Sequence, residues 1–242
     1  MFLASATDIG QKRSENQDRV HAEFLGENIS VAVVCDGMGG AASGGVASQV
    51  AIDAFIQRIK ENYKSDMNAN STRNLLMNAV HYANTLVYTK SRENIDKNGM
   101  GTTLVAVLAV EKRIYIVNVG DSRAYLLNDS GIRQITTDHT YVEMLFRSGQ
   151  ITREEAMAHP MKNVITKAVG VEPDVEVDYF ELEEIGNYSV LLCSDGLSGY
   201  CDDQFIYDTV YEKNLNDAVT KLICFANESG GRDNISAAVI AN

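Results

Sequence analysis

Five aspartates stand at the ends of apolar runs beside glycine or a polar neighbour: Asp18 after Gln17, Asp36 before Gly37, Asp121 after Gly120, Asp195 before Gly196 and Asp233 before Asn234. Each run belongs in a core, so the carboxylate at its end emerges on a rim. A single Asp-Gly pair is an ordinary turn signal. Repeated at the ends of several β-type runs, it describes a rim of carboxylates, which is a site for a hard cation. Oxygen donors without histidine or thiolate suit octahedral Mg or Mn better than zinc.

Other chemistries lack their residues. No cysteine is followed by arginine six positions later, and neither HExxH nor GxSxG occurs, so a side-chain nucleophile is unsupported. The stretch ISVAVVCDGMGGAASGG satisfies a loose G-x-G-x-x-A through Gly37, Gly39 and Ala42. Asp36 would repel a pyrophosphate there, however, and the next element reads as a second helix instead of a parallel strand. A Walker loop is absent. Of the histidines, His21 and His81 read as structural, whereas His139 and His159 flank a segment that could lie over the site.

The elements that must position the aspartates follow from periodicity. Strand-like runs occur at 30–35, 103–110, 113–119, 122–128, 189–193 and 235–241, with a further early β run after Asp18. Short turns at Glu111-Lys112-Arg113 and Gly120-Asp121-Ser122 predict a β-meander. Helical patterns span 45–62, 71–93, 141–149, 153–159 and 216–227, with 64–69 as a polar loop. Strands in blocks and helices in blocks predict an α+β fold. The segment 141–170 is the candidate mobile flap.

The chain has 242 residues, 45% of them hydrophobic, and no linker-like stretch, which predicts one domain over 1–242. Twenty-one basic against 33 acidic side chains give a formal charge of -12, so no basic footprint invites nucleic acid. No long apolar window or export signal is read, which predicts a cytoplasmic protein off the membrane. Four scattered cysteines without a CxxC pair read as buried free thiols.

Seven ordered motifs resemble the PPM family of metal-dependent protein phosphatases (type 2C), in its compact bacterial form: TDIGQKRSENQD at 7–18, CDGMGG at 35–40, GMGTTL at 99–104, VGDSRAYLL at 119–127, TTDHTYVEML at 136–145, SDGL at 194–197 and GGRDNIS at 230–236. The resemblance implies a central β-sandwich of two antiparallel sheets flanked by helix pairs. It implies a serine/threonine phosphoprotein phosphatase with two Mn or Mg ions per site and no covalent phosphoenzyme. By that resemblance Asp36 bridges the ions, the Gly37 carbonyl binds one, and Asp195 and Asp233 complete the other. Asp18 acts through water, and Asp121 with Asp195 holds a third, weaker ion. Arg13 grips the substrate phosphate, for which a guanidinium fork is suited. Two divalent ions about 3.5 to 4 Å apart would share and activate a water.

Three departures qualify the resemblance. Gln17 replaces a common glutamate, Met38 stands where many eukaryotic members carry a histidine acid, and Ser198 replaces an aspartate found near the third site in some members. A flap histidine, His159, is then the candidate proton donor. Partners implied are phosphoproteins and a cognate serine/threonine kinase, with the enzyme a monomer. The alternatives are a pseudophosphatase binding module and a phosphatase dedicated to one regulatory phosphoprotein.

Overall fold

The computed structural model describes residues 1–39, 43–93, 99–183, 186–211 and 213–242. Gly40 of the CDGMGG motif and Ala42 of the loose glycine pattern lie outside the described residues.

Two five-stranded antiparallel sheets form the centre. The first contains β1 (Phe2–Asp8), β8 (Arg123–Asn128), β9 (Gly131–Gln134), β11 (Tyr188–Cys193) and β12 (Ile235–Ala241), in the order β1-β12-β11-β8-β9. The second contains β2 (Arg19–Gly26), β3 (Ile29–Cys35), β6 (Leu104–Val110), β7 (Arg113–Val119) and β10 (Asp178–Glu183), in the order β10-β7-β6-β3-β2. A short ribbon pairs β4 (Gly37–Met38) with β5 (Gly101–Thr102).

Strand β3 shows why the layers stack. Its residues are apolar on both sides because both sides are covered, which erases the usual alternation. Ala32 and Val34, with Val107 and Ile116 of the same sheet, face the other sheet, where Leu126, Val190 and Ile240 meet them. Val31, Val33 and Cys35 face outward against α1 (Ser43–Asn62) and α2 (Ala69–Ser91), through Phe55, Ile59 and Leu76. On the opposite flank, α6 (Asp203–Val210) and α7 (Leu215–Glu228) bury Ile206, Val219 and Leu222 against Leu127, Leu191 and Val239. The result is the α-β-β-α sandwich that the resemblance implied.

The meander expectation is corrected. Strands β6 and β7 do pair through the tight turn at Glu111-Lys112, with Glu111 at φ 53°. Gly120-Asp121-Ser122, however, does not close a hairpin: β7 lies in one sheet and β8 in the other. Gly120 sits at φ 109°, and a Cβ there would strike the Thr103 side chain. Ser122 Oγ is 2.7 Å from Thr103 Oγ1. The link therefore folds over the end of the sandwich and carries Asp121 across the rim. A strand–loop–helix nucleotide unit is likewise ruled out, since β3 is antiparallel to both its neighbours and α1 leads to α2.

Residues 141–170 carry α3 (Tyr141–Arg147) and α4 (Arg153–Ala158). Thr140 caps the first by accepting from the Glu143 amide, and Thr152 with Glu155 forms a capping box on the second. Glu143 pairs with Arg147 on its own helix and bridges to the second helix through Arg153. The segment is closed at its neck, where Tyr141 N donates to Val164 O and Thr166 N to His139 O. Three cysteines are buried as expected, but Cys224 is exposed, because it lies on the solvent face of α7. Among the described residues no helix is long and apolar enough to cross a membrane.

Candidate active site

The loops at one pole of the sandwich enclose a cleft of about 580 Å³ lined by Arg13, Asp36, Gly37, Asp121, Asp195 and Asp233, with Gln17, Met38 and, from the segment 141–170, Asn163 and Ile165. Strand direction explains the convergence. Asp36 leaves the end of β3, Asp195 follows β11 at the start of α5 (Asp195–Ser198), and Asp233 precedes β12. Asp121 rides the sheet crossing. Asp18 precedes β2 and lies just behind this lining, almost wholly buried.

The carboxylates share one low-dielectric volume. Burial, followed by repulsion from Asp18, Asp195, Asp121 and Asp233, holds the Asp36 carboxyl well above the usual range. Burial likewise pushes Asp18 up to about 7, against the hydrogen bond from Ser194 Oγ at 2.8 Å. Asp121 is pushed up to about 7 by burial and then by Asp195. Asp195 is also raised, by burial and then by Asp233, and it stands within hydrogen-bond reach of Asp36. Carboxylates that repel one another in this way favour either a proton or a bound cation.

Whether these residues fit a metal can be tested on their own atoms. Asp18 Oδ1, Asp121 Oδ1 and Asp195 Oδ1 are buried without a hydrogen-bond partner among the described residues. Buried acceptors of that kind are costly unless something positive meets them. Among the described residues Arg13 is the only cation lining the cleft, and its Nη2 is 2.7 Å from Asp233 Oδ2 at the half-exposed mouth. The donor set is hard, anionic and oxygen-only, and it fits divalent Mg or Mn.

Backbone packing holds these loops together. A Cβ at Gly37 would collide with the Gly44 and Gln17 carbonyl oxygens, and one at Gly196 with the Asn234 carbonyl oxygen. The glycine of each Asp-Gly pair thus lets backbone approach backbone. Thr103 Oγ1 accepts from the Asp36 amide at 2.9 Å, and Thr102 Oγ1 donates to the Asp36 carbonyl at 2.9 Å. These two threonines of GMGTTL and Ser194 carry no titratable signal, so sequence reasoning placed them in motifs without giving them roles.

The histidines separate. His139 is buried, and its Nδ1 accepts from the Gly120 amide at 3.1 Å while Nε2 faces Asp178 at 3.2 Å. Burial lowers its pKa, so it is a neutral brace beneath the Asp121 turn. His159 is not among the residues lining the cleft, and its Nδ1 accepts from the Met161 amide at 3.1 Å. Met38 does line the cleft. Ser198 lines an adjoining cavity of about 440 Å³ with Asp121, Asp195 and, from the segment 141–170, Arg153 and Lys162.

A sandwich with helix pairs outside and a carboxylate cleft at one pole is the architecture of a metal-dependent phosphatase. Residues 9–238 match the family described as Protein phosphatase 2C. The serine/threonine phosphatase stp of Listeria welshimeri is 37% identical over 241 residues, covering 99% of this chain and 95% of that protein. The protein phosphatase PhpP of Streptococcus pneumoniae is 33% identical, covering 100% and 97%. Among solved structures, Stp1 from Staphylococcus aureus superposes with a TM-score of 0.91 at 37% identity, covering 99% of this chain and 94% of that one. The catalytic domain of the phosphatase PstP, solved with 2 manganese ions, gives 0.85 at 34% identity, covering 100% and 97%. The chain belongs to the protein phosphatase 2C family, and it is a phosphoprotein phosphatase.

Proposed function

We propose that this enzyme hydrolyses phosphoserine and phosphothreonine in proteins by direct attack of water, with Asp36 and Gly37 at the centre of a site for two divalent ions, Mn or Mg. The observation that supports it most is the set of three buried carboxylate oxygens without a partner among the described residues, two in the cleft lining on Asp121 and Asp195 and one just behind it on Asp18. When bound there, the ions supply an activated water and positive charge for the phosphoryl oxygens.

The chain's own residues then have distinct tasks. Asp36, the Gly37 carbonyl, Asp195 and Asp233 would hold the two ions, with Asp36 shared between them. Asp18, held by Ser194, acts through water, and Asp121 with Asp195 offers a third, weaker site. Arg13, swung to the mouth and balanced by Asp233, presents its fork to the phosphate. Cys35 lies directly behind Asp36, but burial raises its thiol far above the range of a nucleophile. Met38 has no proton to give and His159 does not line the cleft, so proton delivery to the leaving oxygen falls to solvent there. The segment 141–170 is the flap that selects substrates. Its partners are phosphoproteins and the kinase that makes them, in the cytoplasm.

The test is hydrolysis of a phenyl phosphate ester and of a phosphothreonine peptide with Mn, with Mg and with EDTA, comparing wild type with Asp36→Asn and Asp233→Asn. Manganese-dependent turnover lost in both variants is expected. A folded protein that binds metal and turns over neither substrate would overturn the reading in favour of a binding module.

A further inference from the structure

The segment 9–17, which presents Arg13 at the mouth and leads into Asp18, has no helix or strand of its own through most of its length. Its order must come from outside it. One buried side chain holds both ends of the segment, beside contacts to Thr7, Arg19 and Ser48 near its end. Asn234 Oδ1 accepts from the Gln17 amide at 2.8 Å, and its Nδ2 donates to the Ile9 and Glu15 carbonyl oxygens, both at 2.9 Å. Three contacts on one amide fix the start and the end of the segment, with Arg13 between them. The same residue sits between two proposed ligands. Its backbone amide donates to Asp233 Oδ1 at 2.9 Å, and its carbonyl oxygen fills the space left by the missing side chain of Gly196. The Gln11 amide adds one backbone bond, to Gly231 O at 2.7 Å.

We infer that Asn234 is a positioning residue whose side chain clamps the Arg13 segment onto the metal-ligand loops, so that the guanidinium is set relative to the Asp233 and Asp195 carboxylates. This rests on the role given to Arg13 under the proposed function. An asparagine is the residue type the geometry requires: one acceptor and two donors, arranged in a plane, each spent on the same segment. Aspartate keeps the shape but replaces both donations with repulsion between oxygens. Serine is too short to hold three partners.

The clamp is tested by tryptic cleavage of metal-free protein, since Lys12 and Arg13 lie inside the clamped segment. Asn234→Ala, Asn234→Asp and Asn234→Ser should each be cut after residue 12 or 13 at least tenfold faster than wild type, while cleavage elsewhere stays the same. In the Mn-loaded enzyme, Asn234→Ser and Arg13→Ala should each lower kcat/KM on a phosphothreonine peptide by about 10- to 100-fold. The double variant should then fall no more than about threefold below either, because the clamp acts through the arginine. Wild-type cleavage rates in Asn234→Asp and Asn234→Ser, or fully multiplicative losses in the double variant, would overturn the inference. A variant cut everywhere at once reports global unfolding, and the milder Asn234→Ser then decides. If wild type lacked all phosphatase activity the proposed function would fail, yet the cleavage experiment would still judge the clamp.

Discussion

Replacing Asp18 with asparagine should stabilise the metal-free protein at pH 8 while weakening its hold on manganese. Asp18 is moved by burial from 3.8 to about 7, so the fold binds its proton more tightly than the unfolded chain does. Its stabilising contribution is therefore complete below about 4 and is lost as pH climbs through 7. At pH 8 ionised Asp18 costs the fold on the order of 4 kcal/mol, against on the order of 2 kcal/mol at pH 5. Asparagine carries no such dependence. It can still accept from Ser194 Oγ, but its NH2 replaces the unpartnered Oδ1 and finds no acceptor, a cost of about 1 to 3 kcal/mol. The net is a gain of about 1 to 3 kcal/mol at pH 8 and close to none at pH 5. Urea unfolding in EDTA at both pH values measures it, and in the same variant manganese should raise the midpoint less than in wild type. Equal destabilisation by Asp18→Asn at pH 5 and pH 8, or a wild type whose EDTA stability rises between them, would refute the premise that this carboxylate is held at a cost.

Other perturbations have equally definite outcomes. Arg13→Ala should raise KM for a phosphothreonine peptide more than it lowers kcat on a small phenyl phosphate, by about 10- to 100-fold for the loss of a charge-assisted fork; unchanged peptide kinetics would remove Arg13 from phosphate binding. Gly196→Ala places a Cβ on the Asn234 carbonyl and should cost about 2 kcal/mol or more in thermal unfolding, with Gly45→Ala as a control whose Cβ makes only ordinary contacts from 3.6 Å outward. Exchange of residues 141–170 for the flap of a relative should change the ranking of phosphopeptide substrates without changing the manganese requirement; an unaltered ranking would place selectivity elsewhere.

The sequence disclosed those elements whose pattern is local. Runs such as ISVAVVC and LVAVLAV are continuous because they are covered on both faces, and the strands they form fall within a residue or two of expectation. Strand β10, DYFELE, does not read as a strand from its pattern. It lies on a sheet edge where Glu181 and Glu183 face solvent, and charges that protect an edge hide the strand from a hydrophobicity pattern. Strand β1, FLASATD, is built largely of small residues on the other sheet's edge and was hidden likewise. The helix DQFIYDTV is too short to show a period. The crossing at Gly120-Asp121-Ser122 was read as a hairpin because tight turns and sheet crossings use the same residue types; only the packing of Gly120 on Thr103 distinguishes them. The aspartates were legible because their position at strand ends carries a chemical meaning, whereas the contacts that hold them, from Thr103, Ser194 and Asn234, join residues far apart in the chain.

That division between legible carboxylates and illegible supports has an energetic counterpart. Four proposed ligands and Asp18 crowd one pole, where burial and mutual repulsion raise Asp18, Asp36, Asp121 and Asp195 together. A single exposed ion pair from Arg13 to Asp233 offsets little of this, since such pairs contribute about 0 to 1 kcal/mol. The strands therefore hold the carboxylates in place against their own electrostatics, and the rigid α-β-β-α frame supplies the difference. Divalent cations are the natural counterweight, because each neutralises two carboxylates without needing a side chain to fold around it. Metal binding should then appear as stability as well as activity: the same repulsion that destabilises the pole in EDTA is the affinity with which it takes up manganese. A variant that relieves the first must weaken the second.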